Sequence, residues 1–410
     1  MAGARKRKLH KPETEGHQMQ TEKKFAKLAV LAVAATLLVT LSTSATAESD
    51  TARAIRASAA TVPTNIPGIR TYAEPPKGFN PVTATDEELT TYGFPPRPDK
   101  QANSEHYAAW EQAMKAAKIR WNGKLKVLPF GGQGSVAAGS SPLLEAVRPN
   151  VAPSELNVTN ASGVVLSNNQ TAWSSKNSFN VILARFSVPV TQFPFGTNCG
   201  QDYANEFTFV GIDDSFYEGT NNAEVFEPGM VGGLATAVFC NPNQTEYLAY
   251  FGWAPLALLG TFTVNPGDVF WAEVQILDAN DGTVYLEDIS TETFESYAVS
   301  TCEAGVCTNL RGRTAGWTVS RGCCEGPGPN GEWPLANTTH IFLSGGYAEN
   351  GSAKEFFPGL QTTSAEILFM LDDGLDQAIE TVSQGSTGIE GSGALLFSTT
   401  GCAQSGGCTP

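Results

Sequence analysis

The sequence predicts an all-β fold, a large antiparallel β-sandwich preceded by an export signal and a short, partly helical prosegment. Three observations carry this prediction. From about residue 160 the chain alternates short strand-like runs with turn residues and shows no long helical periodicity. Its 41 glycines and 24 prolines supply turns throughout. Hydrophobic residues make up 41% of the 410 and charged residues 16%, a balance that buries a core and argues against disorder.

The first element is the signal peptide, residues 1–47. Lys23, Lys24 and Lys27 form a basic flank. Leu28 to Leu41 is an apolar run too short for a membrane span, and Ala45-Thr46-Ala47 gives the small-residue cleavage pattern. These features predict a secreted or periplasmic protein with no stable membrane insertion after cleavage. Met19 offers a second start.

Residues 48–150 read as a prosegment and linker. The Pro- and Thr-rich stretch 61–82 is extended. Thr85 and Glu88 have capping-box spacing and predict a short helix ending near Gly93. Over 104–118, Tyr107, Trp110, Met114 and Ala117 recur at helical spacing. So short a helix needs a partner for that face. Residues 131–141, GGQGSVAAGSS, read as a connector.

Residues 151–410 form the sandwich domain. Strands are predicted over 180–190, 206–212, 246–253, 269–277, 283–289, 314–320, 340–344, 366–371 and 394–398. Asn265-Pro266-Gly267-Asp268 and Asp278–Gly282 are turns between them. Strands at this spacing pack as two antiparallel sheets.

Charge and histidine content narrow the function. The chain has 26 basic and 41 acidic residues. Residues 1–130 hold 19 basic against 12 acidic, and the remainder 7 against 29. A body so acidic repels nucleic acid and anionic membranes. Arg97, Lys100, Lys115, Lys118, Arg120, Lys124 and Lys126 precede it. That arrangement predicts a segment that docks on the body at neutral pH and loosens in acid. The histidines are His10, His17, His106 and His340, so the body cannot build a multi-imidazole metal site. HExxH and Walker A motifs are absent, and neither metal nor cofactor is expected. The eight cysteines all follow residue 198 and suit disulfides in an oxidising compartment. Cys302–Cys307 and Cys402–Cys408 look like small closed loops, and Cys199–Cys240 like a strand staple. A monomer is expected.

Seven segments of the body follow a familiar order: FNVILARFSVPV (Phe179–Val190), FVGID (Phe209–Asp213), VFEPG (Val225–Gly229), YLAYFGWAP (Tyr247–Pro255), FTVNPGDVFWAEV (Phe262–Val274), TAGWTVSR (Thr314–Arg321) and LANTTHIFLS (Leu335–Ser344). Together they resemble the eqolisin, or glutamic peptidase, family, and YGFPPRPD (Tyr92–Asp99) resembles the prosegment of its bacterial members. The resemblance implies a concanavalin-like jelly roll and an acid endopeptidase acting on polypeptides. It also implies two catalytic side chains. A Glu serves as general base on water and then as acid to the leaving amine, and a Gln donates to the oxyanion.

Here the pattern departs from the family. Gly316 stands at the family's Glu position and Glu227 at its Gln position, while Gly252 replaces a further Glu in the aromatic strand. Glycine transfers no proton. An ionised Glu227 repels an oxyanion and donates to it only when protonated. The resemblance places Phe209, Phe226, Tyr250, Trp253 and Trp317 along the substrate cleft, with Asp213 beside them; core packing is the other reading of each aromatic. Asp213 is read as a structural hydrogen-bond acceptor or as a carboxylate partner of Glu227. Impaired or altered peptidase activity is expected, the alternative being a non-catalytic sandwich that binds peptide or polysaccharide. A glycosylated surface protein would instead use the sequons at Asn157, Asn160, Asn169, Asn243, Asn337 and Asn350.

Overall fold

The computed structural model describes residues 61–128, 154–158, 161–168, 170–193, 203–213, 219–220, 223–224, 229–240, 243–253, 258–305, 307–321, 334–357, 365–371, 378–384 and 395–399. The leading segment begins with a hairpin, β1 (Thr61–Pro63) and β2 (Ile69–Tyr72). Two helices follow, α1 (Asp86–Thr91) and α2 (Ser104–Ala116), then two short strands, β3 (Ile119–Arg120) and β4 (Lys126–Val127). Helix α1 starts where the capping spacing places it. The Thr85 hydroxyl accepts from the Glu88 N–H at 3.2 Å, and the Glu88 carboxylate accepts from the Thr85 N–H at 2.8 Å. Helix α2 is capped by Asn103 and buries His106, Ala109, Trp110, Ala113 and Met114.

The body contributes β5 (Ser154–Val158), β6 (Ala161–Ser167), β7 (Phe179–Ser187), β8 (Thr191–Gln192), β9 (Tyr203–Ile212), β10 (Gly219–Thr220) and β11 (Ala223–Glu224). Next come β12 (Met230–Cys240), β13 (Asn243–Trp253), β14 (Leu259–Thr263), β15 (Val269–Ile276), β16 (Asp281–Asp288) and β17 (Thr293–Ser300). The last are β18 (Thr314–Ser320), β19 (Asn337–Thr338), β20 (Ile341–Asn350), β21 (Glu355–Phe356), β22 (Ala365–Leu371), β23 (Ala378–Gln384) and β24 (Leu395–Thr399).

Apart from the separate pairs β8–β19 and β10–β11, the described strands pair edge to edge into one ribbon folded into two layers, the β-sandwich that the strand spacing predicts. The first layer runs β1-β2-β17-β16-β15-β7-β20. Strands β24, β23 and β22 carry the pairing round to the second, β6-β18-β9-β12-β13-β14-β4. Alternate residues of each strand enter the space between the layers: Ile182, Ala184 and Phe186 from β7, and Ala315, Trp317 and Val319 from β18. Two contacts tie the layers directly. The Trp317 indole N–H donates to the Leu183 carbonyl at 3.0 Å, and Phe251 stacks on Tyr297 with ring centroids 4.4 Å apart.

The leading segment covers the other face of the first layer. There Val181, Leu183, Trp271, Tyr285, Phe294 and Tyr347 meet Leu89, Phe94, Trp110, Ala113 and Met114 in a second apolar cluster. The same segment adds β2 to the first layer at β17 and β4 to the second at β14. Arg120 of β3 pairs with Glu295 at 2.8 Å in a nearly fully buried ion pair, and it also donates to the Tyr92 carbonyl at 2.6 Å.

Acidic side chains sit inside this packing. Burial pushes Glu273 up to about 8 and Glu295 up to about 7, the latter against the pull of Arg120. Glu287 is held well above its ordinary range by burial, and in the inter-layer core burial pushes Glu206 up to about 8. Each of these groups binds a proton in the folded protein that the unfolded chain has released, so its contribution is present in acid and is lost as pH rises. His106 opposes them, because burial lowers it to about 3. Burial of Glu273, Glu287 and Glu295 beneath the segment favours a closed cover in acid, opposite in sense to net charge, while His106 acts the other way. The carboxyl contribution comes from desolvation, not from attraction between net charges.

Thermal stability should peak at about pH 4.5 to 5 and fall from there to about pH 8, each buried carboxyl contributing up to about 1.4 kcal/mol per pH unit. Below that maximum, protonation of His106 should reverse the slope. Melting curves from pH 3 to 9 test this, and Glu273→Gln should flatten the decline. A melting temperature that climbs between pH 5 and 8 would overturn the assignment.

Candidate functional site

Strands β6, β18 and β9 hold position 316. Pairing places Gly316 opposite Val165 on one side and Gly211 on the other. Its chain neighbours Ala315 and Trp317 are locked between the layers, so position 316 belongs to the outer face of the second layer. The same face carries Thr318 and, across the ladder, Phe209, Gly211, Val231 and Gly252. None of these neighbours carries a carboxyl; Glu366 of β22 stands one strand further out, in register with Val165.

Steric demand does not explain the glycine. A Cβ added at Gly316 would meet Thr318 Oγ1 and Val165 Cγ2 at 3.4 Å, ordinary contact distances. Gly163, on the adjoining strand, differs: a Cβ there would run into the Trp317 carbonyl oxygen. At Gly252 the corresponding space is taken by the Leu258 side chain.

Asp213 fixes the start of β18. Its backbone φ of 51° lies in the left-handed region, which aspartate tolerates better than most residues. One carboxylate oxygen accepts from the N–H groups of Arg311 and Gly312 at 2.5 and 2.6 Å. The other accepts from Arg313 and Thr314 at 2.5 and 3.3 Å. Burial pushes this carboxyl up while the four donors pull it back. The geometry makes it a positioning residue for the loop that delivers β18.

The aromatic positions divide between two faces. Trp317 and Trp253 point into the inter-layer core, where the Trp253 indole N–H donates to the Thr308 hydroxyl at 3.1 Å. Phe209 and Tyr250 lie on the outer face, in a buried cluster with Phe207, Leu248 and Leu128. Phe226 and Glu227 lie outside the described residues, as does Glu332. Cys302 and Cys307 form a disulfide, and the other six cysteine side chains lie outside the described residues. Among the described residues no group of three His, Cys, Asp or Glu is placed to hold a metal ion. The buried acids Glu206 and Glu273 do not figure among the candidates drawn from sequence. The signal for Glu273 was a lone charge inside the apolar run FWAEVQI.

The Peptidase A4 family matches residues 159–389, more than half of the chain. Among solved structures, the chain is similar to scytalido-glutamic peptidase with a transition state analog inhibitor, at 16% identity over 59% of this chain and 98% of that one, with a TM-score of 0.43. It is also similar to SCP-B, a member of the eqolisin family in complex with the tripeptide Ala-Ile-His, at 14% identity over 59% and 98%, TM-score 0.40. Aspergilloglutamic peptidase from Aspergillus niger shares 17% identity over 48% and 99%, TM-score 0.37. Comparison with curated proteins gives no match.

Gly316→Ala should leave stability within about 1 kcal/mol of the parent, since a strand glycine is replaced without a clash. Gly163→Ala should cost more than about 2 kcal/mol, because its Cβ meets backbone. Urea denaturation separates the two. Equal losses would mean that the fold itself requires glycine at 316.

Proposed function

The chain belongs to the Peptidase A4, or eqolisin, family, and from that premise we propose that it is a secreted polypeptide-binding member with impaired peptide hydrolysis. Amide hydrolysis needs one group to take a proton from water and to return one to the leaving amine. At the position that the motif match assigns to this task, Gly316 presents a hydrogen. The observation that carries the reading is the face around it, where Val165, Gly211, Val231, Gly252, Phe209 and Thr318 bear no carboxyl; the carboxylate residue in register is Glu366, two strands away beyond Val165. Glu227, at the Gln position, would donate to an oxyanion only in its protonated form.

Polypeptide is the ligand class that family membership supports. Polysaccharide is less well supported, because Trp253 and Trp317 are enclosed between the layers and offer no stacking platform. Secretion rests on the basic flank, the apolar run and the Ala-Thr-Ala site, and the Cys302–Cys307 disulfide is consistent with an oxidising destination.

Casein digestion at pH 2–5 is the test. The parent protein should bind casein without cutting it. The double variant Gly316→Glu/Glu227→Gln should gain acid-dependent cleavage, since a Cβ at position 316 meets its neighbours at ordinary contact distances. Cleavage by the parent that disappears in Glu227→Ala would sink the proposal and establish a rearranged carboxylate site.

A further inference from the structure

We propose that the edge of β14 is a strand-addition site for extended polypeptide carrying a branched aliphatic residue, and that this chain keeps it closed with its own Lys126–Leu128. The inference rests on reading the outer face of the second layer as polypeptide-binding.

The contacts of the occupying segment are of two kinds. Backbone contacts come from antiparallel pairing, with Val127 opposite Leu259 and Lys126 opposite Gly260, extended by the Leu128 N–H donating to the Leu258 carbonyl at 3.0 Å. Main-chain bonds of this kind accept almost any sequence. Side-chain selection falls on one residue. Lys126 and Val127 are exposed, whereas Leu128 is only 3% exposed.

Leu128 fits because Gly260 lacks a side chain. A Cβ at Gly260 would stand 2.7 Å from Leu128 Cδ2 and 3.4 Å from Leu248 Cδ1. The Gly260 backbone does not adopt a positive φ, so the glycine serves the close approach of that leucine and not a turn. The slot opens into Phe207, Phe209, Leu248 and Tyr250, an apolar lining that accepts a branched aliphatic group and rejects a charged one. It lies on the same face as Gly316, reached across the ladder through Tyr250, Gly233, Phe209 and Thr318. A tethered occupant acts at high effective concentration and shuts out a free peptide of equal affinity.

The probe is a fluorescent pentapeptide, Lys-Leu-Lys-Val-Leu, copying residues 124–128, with a control ending in Asp. Fluorescence polarisation on the full chain should show binding at least tenfold tighter to Leu128→Gly than to the parent. The double variant Leu128→Gly/Gly260→Val should lose that gain, because valine fills the slot, and the control peptide should bind none of them. Should Leu128→Gly fail to fold, Leu128→Ala opens the slot by a smaller cut. Equal binding by parent and Leu128→Gly would overturn closure by the tether. Equal binding by the single and double variants would overturn the slot, and no binding by any folded variant would overturn the site. Casein binding by the same variants keeps the two readings apart. If it persists while the pentapeptide shows no preference, only this inference falls; if it is absent throughout, the polypeptide-binding reading falls first.

Discussion

The placement of Trp317 governs what the second layer can do. Its indole is fully buried between the layers and its one donor is used by the Leu183 carbonyl. A strand has a side-chain period of two, so a slip of one residue would move that indole to the outer face and pull Thr318 inward. The apolar area and the hydrogen bond both forbid the slip. Asp213 acts in the same sense from the strand's start by gathering four backbone N–H groups of the incoming loop. Position 316 therefore faces outward by two independent constraints, and the chemistry of that face follows from which atom projects there.

Strands with clear alternation and β-branched or aromatic residues were legible in the sequence: β7, β13, β15, β16 and β18 fall within or close to the predicted runs. So was the start of α1, where the two partners of the capping box sit three residues apart. Strand β12 was not legible. Its run MVGGLATAVFC is rich in Gly and Ala, which have low β propensity, yet it pairs along its whole length between β9 and β13. Tertiary pairing overrides the local preference there. Strand β17 hid for a different reason. Glu295 and Ser296 make it look like a loop, but both are buried and satisfied by the leading segment, Glu295 by Arg120 and Thr71 and Ser296 by the Gly93 carbonyl. The site divided in the same way. Motif order assigns Gly316 to the site, whereas the inward turn of Trp253 and Trp317 needed the register, because both faces of these strands are apolar.

Net charge proved a poor guide to how the leading segment is held. A basic stretch facing an acidic body suggests electrostatic docking, yet the ion pairs between them are few. Lys118–Glu292 is exposed, and such pairs contribute about 0–1 kcal/mol. The cover rests instead on Trp110, Phe94, Leu89 and Met114 against an aromatic sheet face. Under that cover burial favours the neutral form of Glu273 and Glu287, and no cation among the described residues pairs with either. Counting formal charges overlooks this shift, which acts on the pH response in the opposite sense to net charge.

Two glycines on the outer face of the second layer show how an absent side chain can be read. At Gly260 the missing Cβ is replaced by a neighbour: the Leu128 side chain occupies the space, and restoring the methyl would collide with it. Packing alone accounts for that residue. At Gly316 the space holds no such neighbour among the described residues, the backbone is ordinary extended strand, and an added methyl makes normal contacts. A glycine in a strand interior costs about 0.5–1 kcal/mol relative to alanine. At 260 burial of a leucine offsets that cost; at 316 no described residue fills the space in the same way. Packing among the described residues therefore explains the glycine at 260 and does not explain the one at 316.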